Sequence, residues 1–170
     1  MVHDFPFIRR ALAVALAALI AGTAHAAGGG GGGGGGTTAA PDLTHDLMAA
    51  QLLIDRQDWR GAIAELERAR RKDDRNADVH NLLGYSLRKS GRLQDAFAEY
   101  DTALRLDPKH LGAHEYVGEA WLMAHRPDKA REHLAALARL CGSKCEQYED
   151  LAKAVAAYDA GPPVVQTSSK

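Results

Sequence analysis

Residues 77–110 read ADVHNLLGYSLRKSGRLQDAFAEYDTALRLDPKH. Leu82, Leu83 and Tyr85 to Leu87 form one apolar run. Leu93, Ala96, Phe97, Tyr100, Ala103 and Leu104 form a second, and both have the three-and-four spacing of helices that bury one face. Gly91 stands between the runs, where a residue of positive φ closes a helix. Helices this short are marginal in water by themselves, so each needs a neighbour to cover its apolar stripe.

That neighbour is written on both sides of the stretch. Windows 43–76 and 111–144 carry the same pattern with a period of 34 residues. Position 8 of the three windows holds Ala50, Gly84 and Gly118, and position 20 holds Ala62, Ala96 and Ala130. Large residues recur at position 11 (Leu53, Leu87, Trp121) and position 24 (Leu66, Tyr100, Leu134). Small residues let two backbones approach while the large ones fill the next layer, which predicts three antiparallel helix pairs. Asp58 is placed to cap the second helix of the first window, and Pro127 to open that of the third, where a missing N–H costs nothing. Tyr148, Leu151, Ala152, Val155 and Tyr158 define one more apolar face, ended by Gly161-Pro162-Pro163, so a capping helix is expected over 145–159 and a disordered tail over 160–170. Such a helix covers the open end of a solenoid.

Leu83-Gly84, Ala96, Tyr100, Ala103 and Pro108 resemble the tetratricopeptide repeat, W-x₂-L-G-x₂-Y, A-x₃-F and P over 34 residues. His80 replaces the tryptophan, Leu87 the tyrosine, and Asp74 and Gly142 the proline of the outer windows, while Leu137 replaces a small residue. The resemblance implies an all-α, right-handed α-solenoid of three helix pairs with a C-terminal capping helix. His114-Glu115-Tyr116, Gly118-Glu119-Ala120 and Cys141 with Cys145-Glu146 and Tyr148 also resemble a group of small exported proteobacterial repeat proteins. The family presents a concave face built from positions 2, 5, 9, 12 and 13 of each repeat. Carried over, that groove comprises Leu47, Gln51, Ile54 and Asp55, then Asn81, Tyr85, Arg88 and Lys89, then Glu115, Glu119, Leu122 and Met123. Its centre reads as aromatic and basic, suited to a carboxylate or phosphate. The clamp by which some members grip a C-terminal carboxylate is absent, because its places hold Leu47, Gln51, Leu82, Gly112 and Tyr116.

The rest of the chain bounds where and how such a domain works. Arg9-Arg10, the uncharged run Ala11 to Ala21 and the small-residue end Gly22-Thr23-Ala24-His25-Ala26 form a signal-peptide pattern, with cleavage expected after Ala26. Eleven apolar residues are too few to span a bilayer. A periplasmic or secreted protein is expected, and residues 27–41, with the run Gly28 to Gly36, read as a flexible linker spanning roughly 20–24 Å. The 170-residue chain has 21 basic and 22 acidic side chains, finely mixed, with no footprint for nucleic acid or an anionic membrane.

In an oxidising compartment Cys141 and Cys145 are expected to pair as a disulfide. A redox-active or metal-handling pair is the alternative. No metal site is expected: His80 and His114 lie a repeat apart, and His110 with His114 lacks a third ligand. No catalytic motif or cofactor signature is present. The expectation is a non-enzymatic adaptor binding a protein or peptide segment in the groove, with self-association through a terminal face as a further possibility.

Overall fold

The computed structural model describes residues 42–161; the signal peptide expected over 1–26, the linker expected over 27–41 and the expected tail beyond Gly161 lie outside them. The described residues form seven helices: α1 (Thr44–Asp55), α2 (Trp59–Lys72), α3 (Ala77–Lys89), α4 (Leu93–Leu106), α5 (Leu111–Met123), α6 (Pro127–Leu140) and α7 (Glu146–Ala160). They make an all-α solenoid of three helix pairs, α1/α2, α3/α4 and α5/α6, with α7 laid against α5 and α6. No described helix is long and apolar enough to cross a membrane.

The helix ends follow from local chemistry. Asp58 caps α2 by accepting the Gly61 N–H at 2.9 Å, Asn76 caps α3 by accepting from Val79, and His110 Nδ1 caps α5 by accepting from Ala113. Pro127 opens α6. The first helix of every pair ends alike. The amides of Asp58, Arg92 and Arg126 donate back to the carbonyls of Leu53, Leu87 and Trp121 at 2.8–2.9 Å, the long bond of a Schellman turn. The residue between is left-handed each time: Gln57 (φ 59°), Gly91 (φ 85°) and His125 (φ 57°), one repeat apart. Only the middle repeat has the glycine this conformation favours. Gln57→Gly is therefore expected to stabilise the fold by about 0.5–1 kcal/mol, since relief of αL strain exceeds the added chain entropy. Urea unfolding checks it; an unchanged or lowered midpoint contradicts it.

The small-residue columns are the core. Ala50, Ala62, Ala96 and Ala130 are fully buried. A Cβ on Gly84 would lie 2.7 Å from two ring carbons of Tyr100, and one on Gly118 would lie 2.6 Å from Leu151 Cδ2. The third repeat thus closes differently from the second: α7, not Leu134 at position 24, fills the gap over Gly118. Leu137, the large residue at a small-residue position, is buried with Leu122, Ala130, Leu151 and Val155 in the cluster that seats α7. Taken with position 1 at Cys145, α7 continues the same register, with Leu151 below Leu83 and Val117 at position 7 and Val155 below Leu87 and Trp121 at position 11. It serves as the first helix of a fourth, unfinished pair.

Candidate functional site on the inner helices

The first helices of the pairs, α1, α3 and α5, carry all twelve residues expected in the groove. Asp55 and Lys89 are exposed and Met123 is 48% exposed; Leu47, Gln51, Glu115 and Glu119 are half-buried. Ile54, Asn81, Tyr85, Arg88 and Leu122 are buried. The face is therefore two layers, an open rim over a closed floor.

Arg88 organises that floor. It is only 6% exposed, with Nη2 2.5 Å from Glu119 Oε2 and Nε donating to the Tyr100 hydroxyl at 3.3 Å. Its guanidinium lies 5.4 Å from the centre of the Tyr85 ring and 5.9 Å from that of Tyr116, rings themselves 4.8 Å apart. Nη1 reaches Met123 Sδ at 3.8 Å. Burial opposes the charge on Arg88, but the Glu119 carboxylate and Tyr100 reverse that and raise its pKa. Burial likewise pushes the Tyr85, Tyr100 and Tyr116 hydroxyls up.

Two models described as tetratricopeptide repeat match the chain, one over residues 47–110 and one over 87–141, and together they span the three helix pairs. The chain belongs to the tetratricopeptide repeat family. Solved structures agree in fold. The chain is similar to an Arabidopsis OM64 tetratricopeptide domain at 15% identity and TM-score 0.61, covering 66% of this chain and 93% of that one. It is similar to the TPR2B domain of yeast Sti1, solved as a complex with pHsp70, at 16% identity and TM-score 0.57, covering 65% and 96%. A MamA mutant matches at 22% identity and TM-score 0.52, covering 59% and 74%. No curated protein matches the chain.

As a tetratricopeptide groove, the site differs in charge from the expectation of a basic centre. Arg88 is enclosed by tyrosines and paired to Glu119, so it is not presented on the open rim. Lys89 is exposed, with its ammonium 5.8 Å from the centre of the Trp59 ring. The rim is instead acidic. Burial pushes Glu115 up to about 9, with Glu119, Asp150 and Glu146 adding repulsion that Arg88 only partly offsets. Tyr116, Tyr100, Glu146 and Asp150 were missing from the expected site. The last two become legible once the 34-residue register is continued through α7, where they fall at positions 2 and 6.

The histidines at position 4 are structural hubs. His80 Nε2 donates to the Asp74 carbonyl at 2.9 Å and Nδ1 meets Glu99 at 2.6 Å. His114 repeats this with the Pro108 carbonyl at 3.1 Å, but its Nδ1 faces His133 Nδ1 at 3.0 Å. A carbonyl only accepts, so neutral His114 carries its proton on Nε2 and accepts the His133 Nδ1–H. Burial lowers both pKa values, that of His133 to about 4, with each ring also repelling a neighbouring charge. The unfolded chain then binds more protons below pH 6.5. This contribution to stability is present above that pH and is lost as pH falls toward 4, on the order of 1–2 kcal/mol. His133→Glu, which copies the His80–Glu99 arrangement, is expected to abolish the loss between pH 7 and 5. Urea midpoints at the two pH values test this; an acid loss identical in the variant contradicts it.

Cys141, the C-cap of α6, and Cys145, the N-cap of α7, are joined by a disulfide across a Cα separation of 5.9 Å. Among the described residues no group of three or more His, Cys, Asp or Glu side chains is placed to hold a metal ion.

Proposed function

We propose that the protein is an exported, non-enzymatic adaptor that holds a segment of another protein against the inner faces of α1, α3 and α5. The observation that carries this reading is the two-layered inner face. Its floor is fixed by the Arg88–Glu119 pair and the tyrosines, while Gln51, Asp55, Glu115 and Met123 stand on an open rim. A rigid floor lowers the ordering cost of binding an extended chain, and an exposed methionine gives an adaptable apolar contact. Family membership supports a protein or peptide ligand, and the yeast Sti1 domain was solved with one. The signal-peptide pattern and the disulfide support export, since such a bridge persists in an oxidising compartment. The bridge ties α7 to α6 and is read as structural; beyond the pair itself, no feature favours a thiol-redox role.

Selection from a random peptide display library on the full chain tests the reading. Enriched peptides are expected to lose at least about tenfold in affinity on Met123→Asp and nothing on Ala98→Asp, at an exposed site of α4. No enrichment, or peptides indifferent to Met123, would sink it.

A further inference from the structure

We propose that the N-terminal end of the array is a self-association surface, on which α1 of one copy pairs antiparallel with α1 of a second copy. This goes beyond the groove reading and does not depend on it.

Positions 3, 6 and 10 of each repeat are where an inner helix meets the pair before it. In α3 they hold Val79, Leu82 and Ser86, and in α5 Ala113, Tyr116 and Ala120. Leu82 is half-buried against the core and the other five are buried. Val79 clusters with Ala69 of α2, the second helix of the preceding pair. In α1 the same positions hold His45, Met48 and Leu52, and no helix precedes them among the described residues. His45 is exposed, Met48 is 68% exposed and Leu52 is 50% exposed, and the last two are the most exposed large apolar side chains among the described residues. Neither joins a core cluster. The other end of the array differs. There α7 shows water Glu146, Glu149, Lys153 and Asp159, the polar face that a terminal helix of a soluble solenoid needs. An apolar stripe at one end only is a surface kept for a partner.

The chain leading into α1 does not supply the cover, since residues 27–41 contain no Leu, Ile, Val, Met or aromatic side chain. A second α1 does. His45, Met48, Leu52 and Asp55 are all exposed and are spaced three, four and three residues apart, so the stripe reads alike from either end. About a two-fold axis level with Ala50, each Met48 lies level with Leu52 of the other copy and each His45 with Asp55. Apolar then meets apolar, and a ring N–H that donates is level with a carboxylate that accepts. A parallel pairing would set Asp55 beside Asp55, like charge against like. At about 100° per residue the stripe lies roughly a third of a turn round α1 from Leu47, Gln51 and Ile54, so the second copy leaves the groove open. With 12 residues α1 is about 18 Å long, and one such seam is much smaller than the roughly 1,200–2,000 Å² of a stable complex. The dimer is accordingly weak, with Kd on the order of 10–100 µM.

Sedimentation velocity of the full chain from about 5 to 500 µM tests the proposal, and the sedimentation coefficient is expected to climb toward that of a dimer. Met48→Glu is expected to weaken self-association at least about tenfold, with unchanged circular dichroism and urea midpoint because the side chain is exposed. Ala98→Asp, at an exposed site of α4, is expected to leave it unchanged. Oxidative cross-linking reads the arrangement: Met48→Cys mixed with Leu52→Cys is expected to link at least about fivefold faster than either variant alone. A monomer at every concentration overturns the proposal, as does a dimer indifferent to Met48→Glu. Met48→Cys linking to itself as fast as to Leu52→Cys overturns the antiparallel pairing.

Discussion

Leu151→Asp is expected to cost roughly 5 kcal/mol or more, enough to unseat α7 and with it most of the cooperative stability of the third repeat. Leu151 is fully buried and fills the gap over Gly118, where nothing but a missing Cβ gives it room. Its neighbours Leu122, Ala130, Leu137 and Val155 are apolar, so a carboxylate there has no partner. The milder Leu151→Ala should cost about 2–5 kcal/mol by the cavity it leaves. Gly118→Ala, added to Leu151→Ala, should recover part of that loss, whereas alone it overpacks the contact. Urea unfolding of the four proteins checks the set. A loss below about 1 kcal/mol for Leu151→Asp would mean that α7 is not integral to the array.

The second large effect is at Arg88. Arg88→Ala is expected to cost about 3–5 kcal/mol, because it strands the Glu119 carboxylate in a partly buried setting and empties the space beside the Tyr85 and Tyr116 rings. Replacing both partners, Arg88→Met with Glu119→Gln, should recover most of the loss, since apolar or neutral isosteres need no counterion. Chemical denaturation of the single and double variants measures this. An Arg88→Ala protein of unchanged stability would place the guanidinium on the open rim, where its groove position alone would put it.

That contrast shows where the sequence was legible and where it stopped. The solenoid was readable because its determinants are periodic: a missing Cβ at Gly84 and Gly118 and the alanines at position 20 each recur at 34 residues. The cap at Asp58 and the start at Pro127 were readable because their partners are three residues away or absent. Gly91 announced its left-handed turn, but Gln57 and His125 adopt the same conformation without the residue type that signals it. There the Schellman bonds and helix packing override local preference.

Charge on the groove was not legible. Position 12 says that Arg88 faces inward; it does not say that Tyr85, Tyr116 and Glu119 close around it, since that depends on how the next repeat is set. A residue at a groove position and a residue presented to a ligand look the same in one dimension. The His114–His133 contact was hidden for the same reason, because its partners lie on different helices and only the comparison with His80–Glu99 reveals the shared column.

The central claim is that the inner face, and not the outer one, meets a partner. A photo-crosslinking amino acid placed at Met123 or Gln51 on the inner rim, and at Ala98 on α4, in the full chain expressed in its own cells, tests it most directly. The account predicts one discrete adduct from Met123 and from Gln51, the same protein in both, and none from Ala98. An adduct formed from Ala98 but not from the inner rim, or no adduct from the rim at all, would contradict it.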